Sequence, residues 1–333
     1  MDLIASQIQT IFGIQIDTIH TLKGGHINAS FFVKEKNGLE SVVQKVNRHV
    51  FPHWDRIENN LTLTQQTLNS VNQSHLIAQF FRVNGKIHQQ KDEQIWRRME
   101  YISEEAISNE LTNSEKAFRA SKGFAQFSRI LSSSFNNHDW HKVIPNFHDL
   151  TFRVIQFQSA LKSAKKERIE QAEVTLMGYQ RGMKQLQGLI PAVKNNRITH
   201  NDAKLTNVIF RNLTNLAIID IDTIMPGNVL YDLGDMVRTF VPQKPEGDFS
   251  TSRQKVQKDC LDALLAGYQE GWEKELSKDE KENLPLAGAY MTLLIGLRFL
   301  TDFLENDHYF KVDFENQNLM RANNQLELFE LLA

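Results

Sequence analysis

The stretch at 197–238 limits the possible folds more than any other part of the chain. Two short β-prone apolar segments, 208–210 and 216–219, flank a polar turn at 211–215. This pattern predicts a β-hairpin. Polar residues suited to catalysis stand on both sides of it: His200, Asp202 and Asn207 before the first strand, Asp220 and Asp222 after the second. Because a hairpin brings its two ends together, we expect these two polar clusters to meet at its open end.

The order of these residues suits phosphoryl transfer from a magnesium nucleotide. In such sites a carboxylate orients the acceptor hydroxyl or takes its proton, while an amide oxygen and a second carboxylate hold the metal. We therefore predict that Asp202 is catalytic, that Asn207 and Asp220 bind Mg²⁺, and that His200 buttresses the loop. Asp222 is either a further metal ligand or a support residue. The alternative for the whole set is that Asp and Asn only cap and turn a hairpin.

Composition places the chain among ordinary globular proteins. It has 333 residues, of which 41% are hydrophobic and 23% charged, and its net charge of -2 gives no basic surface for nucleic acid. The N-terminus lacks the pattern of a signal peptide, and we expect no later window to approach the length needed to cross a membrane. The single cysteine, Cys260, excludes an internal disulfide. A cytoplasmic protein is the resulting expectation.

The first third of the chain predicts a small β-rich lobe. After a helix at 4–12, short β-prone runs at 18–22, 30–33 and 41–46 are separated by Gly-Gly and Asn-Gly turn signals. A helix follows 52, and two further strands are predicted at 76–82 and 94–102. We place the boundary at 102, with a hinge at 99–102, because helical patterns dominate 103–333. The expected fold class is therefore α+β, with an antiparallel sheet lobe and a larger mainly helical lobe.

Several residues of this first lobe are candidates for nucleotide binding. The turn between the first two strands contains Gly24, Gly25, His26 and Asn28, and glycine lets backbone amides approach phosphate oxygens. Paired glycines also occur in simple tight turns. In the hinge, the backbone of Glu100 and Ile102 would contact adenine.

The third strand offers Gln44 and Lys45, only one of which can face the nucleotide because side chains alternate. Charge favours Lys45, although an exposed strand lysine is the alternative. Glu58 on the following helix would then hold this basic residue, or else lie on a solvated helix face.

Five short motifs carry a resemblance to a known family. The strings HNDAKLTN and IDIDT resemble the catalytic and metal-binding motifs of the aminoglycoside phosphotransferase and choline kinase superfamily, in which Asn201 is usually Gly. The longer run IDIDTIMPGNVLYDLGD, together with GGHIN, resembles bacterial N-acetylhexosamine 1-kinases. The resemblance implies a bilobal protein-kinase-like fold, ATP and Mg²⁺ as cofactors, and a small-molecule acceptor.

The resemblance also implies roles for residues outside the hairpin. Asp232 and Asp235 would support the catalytic loop, with a helix N-terminal acid as the alternative role. The acceptor pocket would contain His148, Asp149, Arg298, Asp302 and Tyr309. For the first pair, the alternative is a plain helix start; for Arg298 and Asp302, which share a helical face, it is a surface ion pair.

The acceptor itself stays open at this point. An aminoglycoside, choline or another sugar is the alternative to an N-acetylhexosamine, because a pocket for a cation should be rich in acids and four lie near this region: Asp149, Asp302, Glu305 and Asp307. A kinase-like protein that binds nucleotide or sugar without catalysis is the alternative from another class.

Overall fold

The computed structural model describes residues 2–22, 28–48, 53–103, 113–186, 196–212, 215–250 and 252–333. The chain forms two compact units. The first comprises Met1–Glu110, Ser133–Val143 and Val208–Met225, and the second comprises Leu111–Ser132, Ile144–Asn207 and Pro226–Ala333. The predicted hairpin segment belongs to the first unit.

The first unit is built on a five-stranded antiparallel sheet of order β1-β2-β3-β5-β4. Its elements are α1 (Asp2–Phe12), β1 (Ile16–Thr21), β2 (Ala29–Glu35), β3 (Glu40–Val46), α2 (Trp54–Ser70), β4 (His88–Lys91) and β5 (Gln94–Glu100). Asp92 adopts a positive φ of 57° in the turn between β4 and β5, a conformation that Asp tolerates better than most residues. A tight turn thus joins β4 to β5, whereas α2 separates β3 from β4 along the chain, so β3 pairs with β5.

The two faces of the sheet have different roles. Ile8 of α1 packs with Phe31, Val33, Val43 and Trp96 on one face. Since side chains alternate along a strand, the neighbours of these residues point the other way. Ser30, Gln44 and Arg97 therefore share the opposite face, where they are joined by hydrogen bonds.

One predicted strand is wrong. The apolar run at 76–82 contains a 3₁₀ turn at Ser74–Leu76 and then only isolated bridges, from Ile77 to Ile218 and from Phe80 to Met99. The run is largely buried but pairs with no neighbouring strand over consecutive residues. β-propensity alone does not reveal whether such a partner strand exists. The fourth strand is β4 instead.

The predicted hairpin is present in the first unit. It consists of β7 (Val208–Phe210) and β8 (Leu216–Ile218), paired antiparallel with Val208 opposite Ile218. Ala217 and Ile209 pack in an apolar cluster with Ala78, Met99 and Ile102.

The second unit is mainly helical. Its elements are α3 (Asn113–Ser132), α4 (Leu150–Ser163), α5 (Lys166–Gln171), α6 (Glu173–Leu186), β6 (Arg197–Thr199), α7 (Val229–Phe240), α8 (Lys258–Trp272), α9 (Lys278–Asn283), α10 (Ala287–Leu304) and α11 (Gln317–Leu332); β9 (Met225–Gly227) begins at the boundary. The central helix is α10, which packs against α4, α7 and α11. Gly234 of α7 allows the close approach, because a Cβ there would lie 2.4 Å from the Ala287 carbonyl oxygen.

The expectation that no segment approaches the length of a membrane span is wrong. The stretch Lys278–Leu304 is long and apolar enough by length and composition, but 78% of its most apolar window is buried inside the protein. A helix surrounded by protein on all sides is apolar all round for that reason. This burial is what the core helix of a soluble protein shows.

Candidate functional site

The loop that follows β6 is held in place by Asp232. This residue lies in the first turn of α7 and is fully buried. Its carboxylate accepts hydrogen bonds from the backbone N–H groups of His200 (2.8 Å) and Asn201 (2.7 Å), and from the hydroxyl of Ser128 (3.2 Å). This is the support contact that the resemblance implied. Burial raises the pKa of Asp232, although the two amide bonds favour the charged form.

Asn201 occupies a position that few side chains tolerate. Its φ is 63°, in the left-handed region where glycine and asparagine are favoured. Its side-chain amide donates to the Thr199 carbonyl oxygen over 2.9 Å, which stabilises the bend. The motif therefore accepts Asn in place of the usual Gly for a conformational reason. Gly227 lies against the same bend, because a Cβ there would come within 2.3 Å of the Thr199 hydroxyl oxygen.

Asp202, Lys204 and Asn207 form a polar triad inside this loop. The Lys204 ammonium lies 2.6 Å from Asp202 Oδ1. The amide nitrogen of Asn207 donates to the Asp202 backbone oxygen (2.8 Å) and to its Oδ2 (3.3 Å). Burial raises the pKa of Asp202, but the charge and hydrogen bond of Lys204 lower it, and the net shift is downward. Asp202 is therefore a carboxylate at neutral pH, as a base or orienting group requires.

His200 and His148 buttress the loop from inside. His200 is fully buried, and its Nδ1 accepts a hydrogen bond from the Asp202 backbone N–H over 3.2 Å. His148 lies 2.8 Å from the Asn201 carbonyl oxygen through Nε2. Burial lowers the pKa of His148 to about 3, so the ring is neutral and Nε2 carries the donated proton. This buried position contradicts the prediction that His148 binds the acceptor directly.

Asp235 pairs with Arg238, and within the described residues no hydrogen bond joins it to the loop. Its carboxylate accepts from Arg238 Nε (3.1 Å) and Nη2 (3.0 Å), and Arg238 also pairs with Glu246. Burial raises the pKa of Asp235, while the Arg238 charge opposes this change. The direct hydrogen-bonding role predicted for both acids thus belongs to Asp232 alone.

The first unit contains the two acids that follow β8. Asp220 is exposed and has a positive φ of 56°, an uncommon conformation that is often found at functional sites. Asp222 is buried, and both of its oxygens are occupied: Arg97 binds them as a bidentate pair, and the amide of Asn28 donates to Oδ2 over 3.0 Å. These bonds favour the support role predicted for Asp222 over the metal-ligand role. The same bond makes Asn28 a structural residue instead of a phosphate ligand.

The strand register argues against Lys45 as the phosphate contact. Its ammonium lies 6.0 Å from the Trp96 ring centre, on the face covered by α1. Gln44, on the other face, accepts hydrogen bonds from Arg97 Nε (2.9 Å) and Nη2 (2.7 Å). Arg97 is thus the basic residue on the face of Asp222. No sequence motif marks Arg97, because its charge is on the fifth strand and not on the third.

Glu58 does not hold a strand-three basic residue, nor is it a solvated helix acid. It accepts hydrogen bonds from the backbone N–H groups of Ile87 and His88, each at 2.8 Å, and contacts His88 Nδ1 at 2.5 Å. Burial raises the pKa of Glu58, but the His88 contacts outweigh it and the net shift is downward. Glu58 therefore fixes the start of β4 to α2.

The two residues predicted to contact adenine differ in the hydrogen bonding of their backbone N–H groups. The backbone N–H of Glu100 donates to the Gln79 carbonyl oxygen over 2.8 Å, and the Glu100 carboxylate pairs with Arg211. Ile102 lies in the apolar cluster of the hairpin, and within the described residues its N–H donates no hydrogen bond. Ile102 is thus better suited than Glu100 to contact a base through its backbone. Gly24, Gly25 and His26 lie outside the described residues.

A cavity of about 80 Å³ lies on the second unit where the acceptor pocket was predicted. It is lined by Arg153, Gln156, Arg298, Thr301, Asp302, Glu305, Tyr309 and Phe310. Both acids predicted for this pocket accept hydrogen bonds from the protein backbone. Asp302 does not pair with Arg298, because its oxygens accept from the N–H groups of Tyr309 (2.7 Å) and Phe310 (2.9 Å). Asp149 is the N-cap of α4, where it accepts from the Phe152 N–H at 3.0 Å. Arg153 was not predicted.

The residues predicted to hold Mg²⁺ supply oxygen ligands. Within the described ranges, no group of three His, Cys, Asp or Glu side chains forms a ready metal site. Asn207 nevertheless suits a hard cation. Its amide nitrogen donates to two oxygens of Asp202, so its amide oxygen points away from Asp202. The carboxylate of Asp220 is of the same ligand type. These oxygen ligands fit magnesium chemistry and not that of a soft metal.

The fold and the loop together define a small-molecule phosphotransferase of the kinase type. The chain belongs to the phosphotransferase enzyme family (APH), whose sequence model matches residues 18–276. Solved structures agree with this fold across nearly the whole chain, and the predicted α+β class is confirmed.

Three of these structures illustrate the likeness. Spectinomycin phosphotransferase APH(9)-Ia, bound to ADP and spectinomycin, has a TM-score of 0.60 at 14% identity, covering 99% of this chain and 98% of its own. Choline kinase from Cryptosporidium parvum has 0.61 at 12%, covering 99% and 96%. Amicoumacin kinase hAmiN, in complex with AMP-PNP, Ca²⁺ and Ami, has 0.60 at 12%, covering 99% and 93%. At such identities the likeness shows the fold alone.

Proposed function

We propose that the protein is an ATP- and Mg²⁺-dependent kinase that phosphorylates the anomeric hydroxyl of an N-acetylhexosamine and acts in the cytoplasm. The observation that supports it most is the fixed loop around Asp202, whose carboxylate is kept charged by Lys204 and oriented by Asn207. Nucleotide-bound structures of the same fold support ATP as the donor. The motif string after Asp220 supports the amino sugar.

Each residue has a defined task in this proposal. Asp202 Oδ1 or Oδ2 accepts the proton of the attacking hydroxyl or orients it toward the γ-phosphorus. Asn207 and Asp220 would hold Mg²⁺, which neutralises the phosphate oxygens when bound. Lys204 keeps Asp202 ionised, and Asp232 fixes the backbone on which Asp202 stands. Catalysis then rests on alignment and charge, with little covalent chemistry.

The test is acceptor-stimulated ADP release from Mg-ATP across N-acetylglucosamine, N-acetylgalactosamine, unmodified hexoses, choline and aminoglycosides. The proposal expects stimulation by the N-acetylhexosamines, with the 1-phosphate as product. If only choline or an aminoglycoside stimulates ADP release, the proposed acceptor is refuted but the proposed phosphoryl transfer stands. An absence of stimulation by every class would favour a protein that binds nucleotide or sugar without catalysis.

A further inference from the structure

Two arginines without acidic partners face the cavity described above. Arg153 belongs to α4 and Arg298 to α10. Among the described residues, no carboxylate oxygen lies within 4.0 Å of a guanidinium nitrogen of either side chain, although such pairs are common elsewhere in the chain. Charges in a partly buried cavity are costly unless they are paired. This cavity is therefore unusual in its charge.

The environment of Arg298 is aromatic. Its guanidinium lies 5.1 Å from the Phe147 ring centre, 5.6 Å from that of Tyr309 and 5.4 Å from that of Phe310. These cation–π contacts hold the group in place without using its N–H donors. In the described part of the chain, its one hydrogen bond is a long one of 3.4 Å to the Tyr309 hydroxyl. Most of its donors thus stay available for a ligand.

Arg153 is held by neutral groups. Its Nη1 donates to Gln156 Oε1 (2.6 Å) and its Nη2 to the Phe147 carbonyl oxygen (3.0 Å), while Nε is buried and lacks a partner within the described residues. Burial lowers the pKa of Arg153 to about 10, and the nearby charge of Arg298 contributes to the decrease. Burial also lowers the pKa of Arg298. Burial is the main cause of both decreases in pKa, and the charges of Tyr309 and Asp235 oppose the decrease at Arg298.

The acids near this cavity do not neutralise it. Asp302 is occupied by the backbone amides of Tyr309 and Phe310, and Asp149 caps α4. Asp307 pairs with Arg168 at 2.7 Å, and Asp235 pairs with Arg238. Among the described lining residues, the exposed Glu305 is the acid for which none of these contacts is seen. The four acids that left a cationic acceptor possible on sequence grounds are thus mostly engaged.

We propose that Arg153 and Arg298 make the acceptor pocket a charge filter, which rejects cationic acceptors and binds the hydroxyl and acyl oxygens of uncharged sugars. The inference rests on the proposed function in taking this cavity as the acceptor site. The exposed Tyr309 ring provides a flat apolar surface for one face of the sugar, and the guanidinium donors provide hydrogen bonds. An ammonium group placed among them would meet two like charges in a medium of reduced dielectric.

The test compares two acceptors that share a sugar skeleton and differ in the acetylation, and therefore the charge, of the C2 nitrogen. N-acetylglucosamine and glucosamine share one skeleton, but the free amine of the second is an ammonium at a pH below its pKa. We expect kcat/KM for ADP release to be at least about tenfold higher for the acetylated sugar, from the repulsion of close like charges. In Arg153→Gln and Arg298→Gln, the ratio should fall toward about threefold or less. Arg153→Lys and Arg298→Lys keep the charge and should keep the ratio.

The outcomes separate this inference from the proposed function. If glucosamine, choline or an aminoglycoside is used as well as N-acetylglucosamine, or if the Gln and Lys variants discriminate equally, the charge filter is refuted while the kinase activity stands. If no acceptor stimulates ADP release, the proposed function fails. In that case, the charge filter is tested by calorimetric titration of the full chain with each of the two sugars. If glucosamine binds as tightly as N-acetylglucosamine or more tightly, the charge filter is refuted.

Discussion

Replacement of Asp232 by Asn should disable the enzyme from a position that does not touch the acceptor. The two carboxylate oxygens of Asp232 each accept one backbone N–H of the catalytic loop, at 2.8 Å and 2.7 Å. An Asn side chain has one oxygen, so one of these buried N–H groups would face an NH₂ group instead. An unsatisfied buried donor costs about 1–3 kcal/mol. We expect the free energy of unfolding to fall by this amount.

The effect on turnover should be larger than the effect on stability suggests. The unsatisfied amide belongs to His200 or Asn201, one or two residues from Asp202. A displacement of about 1 Å in a reacting group can cost about 10²-fold in rate. We therefore expect kcat to fall by about that factor, measured by ADP release at saturating Mg-ATP and acceptor, with urea unfolding measured in parallel.

Ser128→Ala is the matched control for this experiment. It removes the third hydrogen bond to Asp232, at 3.2 Å, but leaves both loop amides with their acceptors. Such a bond contributes about 0.5–1.5 kcal/mol, so this variant should lose some stability and keep its turnover. Wild-type kcat in Asp232→Asn, or an equal loss of kcat in Ser128→Ala, would show that Asp232 does not position the loop.

Three further predictions follow from individual contacts. Lys204 lowers the pKa of Asp202, so Lys204→Met should raise that pKa and move the acid limb of the kcat–pH profile to higher pH. An unchanged acid limb would contradict this coupling. Arg97→Met leaves Asp222 buried without its partner and should reduce the free energy of unfolding in urea by about 3–5 kcal/mol. The double variant Arg97→Met, Asp222→Leu should recover much of this loss. Normal stability of the single variant would refute the buried pair. Gly227→Ala places a methyl group 2.3 Å from a neighbouring hydroxyl oxygen and should lower kcat about tenfold or more with only small changes in nucleotide affinity; unchanged kcat would show that the bend yields freely.

The parts of the fold that depend on local patterns could be predicted from the sequence. The hairpin at β7 and β8 was placed to within one residue, because short apolar runs around a polar turn have few other solutions. The cap at Asp149 was found as the alternative to a ligand role. The predicted strand at 76–82 failed, since a buried apolar run is compatible with both a strand and an irregular segment.

The site was predictable where one loop contains the chemistry and not where distant strands meet. Asp202 and Asn207 stand five positions apart in a recognisable order, and their hydrogen bond lies within that loop. Arg97, by contrast, meets Asp222 across 125 positions of sequence. Its charge could not be assigned to either face of the sheet without the register. The same limit explains the wrong choice of Lys45 over Gln44.

The role of Asp202 is the central claim, and Asp202→Asn tests it most directly. The measurement is ADP release under single-turnover conditions with Mg-ATP and the best acceptor, alongside calorimetric titration of Mg-ATP. The variant keeps the size of the side chain and the loop contacts of Asp232. We predict nucleotide affinity within about threefold of wild type and a rate reduced by about 10²–10⁴-fold, the usual contribution of a positioned base. A wild-type rate in this variant would contradict the account.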